Sequence, residues 1–124
     1  MSEIVAVYGS LRQGERSHSR LRGATYLGLG WTAQNYALYV SEYPAVVPEP
    51  PLRPIRVELY GVSPALLTDL DEYEEHPLLY QRQQVEVKLD TGREQLAWLY
   101  FYRQLEPGAQ EVPSGDWQNR EDKT

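Results

Sequence analysis

Five carboxylates crowd one short segment, "PALLTDLDEYEE", which carries Asp69, Asp71, Glu72, Glu74 and Glu75. At about 100° per residue, a helix here gathers Leu66, Leu67, Leu70 and Tyr73 into one apolar stripe. Glu74 follows Leu70 by one turn and falls on the edge of that stripe, facing the core. Glu72 and Glu75 point away, and Asp69 and Asp71 flank the stripe further out. An inward carboxylate in the last turn loses hydration. It also meets the negative end of the helix dipole and the neighbouring acids. All three raise its pKa toward the range of a general base. The competing reading has Glu74 at the core boundary, reaching out to solvent. The helix by itself does not choose between them.

A second stretch suits ligand binding. In "VAVYGSLRQG", Val5 to Gly14, an apolar run ends abruptly in Tyr8-Gly9-Ser10-Leu11. Gly9 and Gly14 have the wrong spacing for a dinucleotide fingerprint, and no Gly-Lys-Ser/Thr follows. What remains is a strand ending in a turn with free N–H groups, which can bind a carboxylate or oxyanion as a backbone nest. Arg12 and Arg16 stand close enough in sequence to assist. Alone, the stretch is equally a plain turn glycine. The chain has no cysteine, which removes disulfides, thiolate catalysis and cysteine-based zinc sites. Its two histidines, His18 and His76, are too few for a His-rich metal site. His76, before Pro77, reads as a solvent-facing cap residue. Neither a metal nor a cofactor is expected.

These residues need a frame to position them. Ile4–Tyr8 reads as a strand buried on both faces. Glu15–Arg22 reads as a short helix stopped by Gly23. Thr25–Trp31 and Tyr36–Val40 read as strands. "SEYPAVVPEPPLRP", Ser41 to Pro54, is expected to run extended over the surface because of its prolines. In Ile55–Val62 a half-buried strand is predicted, with Ile55, Val57 and Leu59 inward and Arg56, Glu58 and Tyr60 outward. Ser63-Pro64 is an N-cap and first-turn pair for the helix Pro64–Glu75. Gln83–Leu89 and Glu94–Tyr102 form a hairpin around Asp90-Thr91-Gly92. The expected fold is α+β: a small mixed β-barrel of about six strands with one or two flanking helices, in one domain over residues 1–117. Residues 118–124 are expected to form a disordered tail.

With 124 residues, the chain is long enough to bury a core without staples. Its formal net charge of −6 repels phosphate backbones, so nucleic acid is a poor partner. No stretch approaches the roughly 18–20 apolar residues of a membrane span. The N-terminus shows no secretory pattern. A soluble, cytoplasmic protein is expected, with no nucleic-acid or membrane partner. Ten tyrosines against one phenylalanine suit half-buried strands, and a few can line a polar pocket.

Taken together, "VYGSL" after the first strand, "LDEYE" ending the helix and "YQRQQVEV" resemble the gamma-glutamyl cyclotransferase family. "SEYPAVV", "WLYFY" and "PSGDW" are similar to further segments of its short bacterial, AIG2-like members. The resemblance runs from Val5 to Trp117. It implies a small barrel with flanking helices and an enzyme that needs no metal. It implies that Tyr8, Gly9, Ser10 and Leu11 bind substrate, that Glu74 is catalytic, and that Tyr80 and Tyr43 approach the pocket, with Pro44 beside Tyr43. Arg82 is expected to pair with the acidic helix end. The implied substrate is a small gamma-glutamyl compound that closes on itself to release 5-oxoproline. One departure stands out: the family usually has glycine after the catalytic glutamate, and this chain has Glu75. A side chain there leaves room for an alternative, a binding module on the same fold that does not turn over its ligand. The leaving amine and the oligomeric state are not written in the sequence.

Overall fold

The computed structural model describes residues 3–120. Its strands are β1 (Glu3–Val7), β2 (Thr25–Thr32), β3 (Ala37–Val40), β4 (Pro44–Val47), β5 (Arg56–Val62), β6 (Tyr80–Leu89), β7 (Glu94–Tyr102) and β8 (Gln110–Glu111). One helix, α1 (Pro64–Tyr73), lies between β5 and β6. Five strands close a barrel in the order β1–β5–β2–β6–β7. Its neighbours are antiparallel except at the seam, where β1 runs parallel to β7 with Val5 opposite Trp98 and Ala6 opposite Leu99. A second sheet, β4–β3–β8, packs beside it, with β4 against β7.

Strand alternation sorts the core into two layers. Ala6, Val57, Leu59, Val85, Val87, Ala97 and Leu99 belong to the cluster that fills the barrel. Their neighbours Val5, Val7, Tyr60, Val62, Tyr100 and Tyr102 belong to a second cluster, together with Leu67 and Leu70 of α1. Successive side chains in a strand point to opposite faces, so one barrel wall serves both clusters. This is why β5 is buried on both faces, where the sequence predicted one. Glu58 and Tyr60 are covered as fully as Val57 and Leu59.

The helix starts as its cap predicts. Ser63 Oγ accepts from Leu66 N at 3.0 Å, with Pro64 at the first helical position. Such a cap contributes roughly 1 kcal/mol. The helix ends at Tyr73, two residues before the predicted end, and Glu74 is its C-terminal cap.

Three other expectations change. Of Glu15–Arg22, only His18–Leu21 is helical, as a 3-10 turn. Leu21 is the one fully buried residue there, so no apolar stripe holds a longer helix. The proline tract does not simply run over the surface, because Pro44–Val47 are all buried and pair with β3. Pro44 is tolerated as the first residue of an edge strand. Finally, Gln118 and Asn119 lie in a 3-10 turn from Trp117 to Asn119 instead of a disordered tail, and Asp116 Oδ1 caps it by accepting from Gln118 N at 3.0 Å. Residues 121–124 of that tail lie outside the described residues.

Candidate active site

The ends of β1, α1, β4 and β6 meet over the middle of β7. Between them is a narrow cavity of about 20 Å³, room for roughly one water. It is lined by Ala6 to Leu11, Pro44, Glu74, Tyr80 and Tyr100. Five predicted site residues, Tyr8, Gly9, Ser10, Leu11 and Tyr80, therefore converge with Glu74. Tyr43 does not: it is 47% exposed and absent from the lining, and its neighbour Pro44 forms the wall instead.

Gly9 is needed for close packing. A Cβ there would overlap the ring of Pro44, coming within 2.7 Å of its Cβ. Its φ is not in the left-handed region. Beyond Gly9 the chain turns: Arg12 N donates to Gly9 O at 3.0 Å and Ser17 N to Ser10 O at 2.9 Å. Among the described residues, no hydrogen bond engages the turn N–H groups of Gly9, Ser10 and Leu11. Three unengaged amides in succession at a cavity rim are the raw material of a backbone anion nest.

The arginine after this turn has a different job from the one its position suggested. Arg12 is 4% exposed and paired with two carboxylates. Its Nε donates to Glu58 Oε2 at 2.9 Å and its Nη1 to Asp116 Oδ1 at 2.7 Å. Glu58 Oε1 accepts from Gln13 N at 3.0 Å and from the Tyr60 hydroxyl at 2.9 Å. Arg12 thus anchors the turn to β5 and to the C-terminal segment and is not free to contact a ligand. Arg16 is exposed, away from the cavity lining.

Three tyrosines furnish the cavity walls, and each hydroxyl proton is engaged elsewhere. Tyr8 donates to Tyr100 O at 2.8 Å, Tyr80 to Pro44 O at 2.8 Å, and Tyr100 to Asp71 Oδ1 at 2.6 Å. Tyr8 also accepts from Val46 N at 3.3 Å, so Tyr8 and Tyr80 together fasten β4 to the barrel. Burial pushes all three hydroxyls far above the ordinary tyrosine range, so they stay protonated at neutral pH.

Glu74 is different. No protein hydrogen bond engages its carboxylate among the described residues, and burial pushes its pKa up from 4.5 to about 7. Of the three causes expected from the sequence, desolvation carries the shift. The neighbouring acids add little, because Glu72 and Glu75 are exposed. Burial would also raise Asp71, but hydrogen bonds from Arg82 and Tyr100 hold it below the usual carboxylate range. Arg82 makes that contact through Nε at 2.9 Å and Nη2 at 3.1 Å, the expected pairing with the helix end. Among the lining residues, Glu74 is the one group poised to exchange a proton near neutrality. His76 is no solvent-facing cap. It is half-buried against Tyr100, and its Nδ1 accepts from Arg82 N at 3.2 Å.

Glu75 has φ = 53°, a left-handed conformation that glycine adopts without strain. Its side chain is exposed and absent from the cavity lining. The chain therefore makes the same turn out of the helix that a glycine would permit, and the pocket is not narrowed. Among the described residues, no group of three His, Asp or Glu side chains converges as a metal site would require.

This arrangement, a half-buried high-pKa carboxylate sharing a cavity with a turn of unengaged amides, can be compared with known proteins. The sequence profile described as "Gamma-glutamyl cyclotransferase, AIG2-like" matches residues 5–119. The chain belongs to this family. A relative from Methanocaldococcus jannaschii, named among the gamma-glutamylcyclotransferases, is 43% identical over 81% of this chain and 84% of its own. The gamma-glutamylcyclotransferase family protein of Escherichia coli K12 is 30% identical over 94% of this chain and 97% of its own. Among solved structures, an uncharacterised protein from Pyrococcus horikoshii superposes with a TM-score of 0.74 at 31% identity, covering 94% of this chain and 91% of that one. A mouse AIG2-like protein superposes with a TM-score of 0.79, covering 97% and 84%, at 23% identity, a likeness of fold. The barrel with one flanking helix is thus the fold of a gamma-glutamyl cyclotransferase, AIG2-like protein, as the sequence predicted.

Of the two residues of the proline segment expected to wall the site, Pro44 lines the cavity and Tyr43 does not, and one wall residue was missed. Tyr100 lay inside "WLYFY", read only as a strand apolar on both faces.

Proposed function

We propose that this protein cyclises gamma-glutamyl compounds, releasing 5-oxoproline and a free amine. The observation that carries the reading is Glu74, half-buried with a pKa raised to about 7 and unengaged, lining the same cavity as Gly9, Ser10 and Leu11, whose amides are also unengaged. In this mechanism the substrate's α-carboxylate sits on those amides. Glu74 takes a proton from the α-ammonium group. The freed nitrogen attacks the γ-carbonyl, and a new N–C bond closes the five-membered lactam. Glu74 then gives the proton to the departing nitrogen as the old γ-C–N bond breaks, and the ring nitrogen, which still carries one proton too many, passes it by way of the same carboxylate to the released amine, which departs as an ammonium group. One carboxylate serves both steps because its base and acid forms alternate, and a pKa near neutrality keeps both populated. Holding amine and carbonyl in attack geometry supplies much of the acceleration.

The test is a mass-spectrometric screen for 5-oxoproline, with wild type and Glu74→Gln incubated with a panel of gamma-glutamyl amines, amino acids and peptides. Wild type should form product. The variant should be slower by about 10²–10⁴-fold, the usual contribution of a general acid/base. A variant within tenfold of wild type overturns the role of Glu74. No product from any substrate overturns the cyclisation reading.

A further inference from the structure

Behind the cavity wall lies a second, larger space. A groove of about 330 Å³ runs between the Gly14–Arg16 loop, the turn joining β3 to β4, and the C-terminal 3-10 turn. That volume is within the roughly 300–1,000 Å³ usual for small-ligand sites. Ser10 and Pro44 line both the groove and the cavity that holds Glu74. A substituent on the γ-carbon that extends past these two residues enters the groove.

The groove is charged, and part of its charge is uncommitted. Arg16 is exposed and has no ion-pair partner among the described residues. Arg120 lies 3.9 Å above the Trp117 ring, and its Nη1 donates to Trp117 O at 2.6 Å. These contacts fix the guanidinium plane and leave most of its N–H donors available. On the acidic side, Glu15 accepts from Trp117 Nε1 at 3.3 Å and from Gln118 Nε2 at 3.2 Å. Glu42 is exposed without a partner among the described residues. Among the described residues, two cations and one uncommitted anion therefore line a space that shares Ser10 and Pro44 with the cavity of Glu74.

We infer that this groove is the leaving-amine subsite, and that it selects leaving groups bearing a carboxylate, amino acids and peptides, over simple amines. The inference rests on the cyclisation reading of the cavity. Arg16 and the fixed Arg120 hold the carboxylate. Glu42 accommodates a second, cationic group on the same leaving molecule. A neutral amide in place of the carboxylate keeps the size of the ligand and removes its charge.

The experiment compares γ-L-glutamyl-L-alanine with γ-L-glutamyl-L-alaninamide at low salt. It measures 5-oxoproline release by wild type and Arg16→Gln, and binding to Glu74→Gln by calorimetry. Wild type should favour the acid by about tenfold in kcat/KM, the scale of one charge-assisted contact. Arg16→Gln should bring the acid-to-amide ratio toward one. Equal use of acid and amide by wild type, or a ratio unchanged by Arg16→Gln, overturns the inference. If wild type turns over neither compound, the panel above decides the cyclisation reading and binding decides the groove. A tenfold tighter acid, lost in the double variant Glu74→Gln/Arg16→Gln, supports a carboxylate subsite. No such preference overturns it.

Discussion

Replacing Glu74 by glutamine should stabilise the protein, and only above acidic pH. Burial raises this carboxyl from 4.5 to about 7. At about 1.4 kcal/mol per unit, the folded state disfavours the charged form by up to ~3 kcal/mol. This is an upper value because the cavity admits water. The folded protein holds the proton more tightly than the unfolded chain, so stability falls as pH rises from about 4.5 to about 7. Below that window Glu74 is protonated in both states and costs nothing. Above it, the full penalty applies. Glutamine is nearly the same shape and carries no charge, so the variant escapes the penalty. Urea titrations of both proteins from pH 4 to 8 measure this directly, since every other group titrates in both and cancels in the difference. The variant should match wild type near pH 4 and exceed it by up to ~3 kcal/mol at pH 8. With urea m-values of about 1–3 kcal/mol/M, a difference of that size separates the midpoints by roughly 1 M or more. A difference that is constant with pH, or that reverses in favour of wild type, would refute the assignment of a buried, unpaired carboxylate. The same titration should appear in catalysis as kcat/KM rising with pH through about 7, where Glu74 becomes the base.

Gly9→Ala places a Cβ against the Pro44 ring and should cost about 1–3 kcal/mol in stability, with a fall of at least about tenfold in kcat/KM, read from melting curves and steady-state rates. Arg12→Met leaves Glu58 buried without its cation and should cost about 3–5 kcal/mol in urea unfolding. Adding Glu58→Gln should recover part of that loss, and a single-variant cost under about 1 kcal/mol would show the ion pair to be dispensable. Glu75→Gly relieves a left-handed residue worth about 1–2 kcal/mol of strain but loosens the unfolded chain by about 0.4–1 kcal/mol, so the net gain should be up to about 1 kcal/mol. A loss of more than about 1 kcal/mol there would mean that the Glu75 side chain makes a contact of its own.

The parts legible in the sequence were those carried by local rules. Ser63-Pro64 announced the helix start, and helical periodicity placed Glu74 inward, because three-dimensional neighbours were not needed to see either. Strand β7 was read to its ends from continuous apolar residues. What escaped depends on pairing across long separations. Glu58 alternates like an outward residue of a half-buried strand. Only the arrival of Arg12, 46 positions away, explains how it is buried. The proline tract hid β4 because composition describes an average, and four residues within it pair with β3. Of Tyr43 and Pro44, both expected at the pocket wall, only Pro44 reaches it, because its ring fills the space left by the missing side chain of Gly9.

The parallel seam of the barrel has a consequence for how the protein comes into being. β1 is made first and pairs along one edge with β7, whose Trp98 lies 93 positions beyond Val5. The rim of the cavity likewise draws on Tyr8 near the beginning and Tyr100 near the end. At about 5–20 residues per second, the first strand waits for several seconds or more of synthesis before that edge can be covered. Contacts this distant in the chain close slowly even in the complete protein. No nascent intermediate short of β7 has a cavity wall on that side. The half-buried Glu74 carboxylate is therefore enclosed only when the last barrel strand docks, so its raised pKa is a property of the completed fold alone.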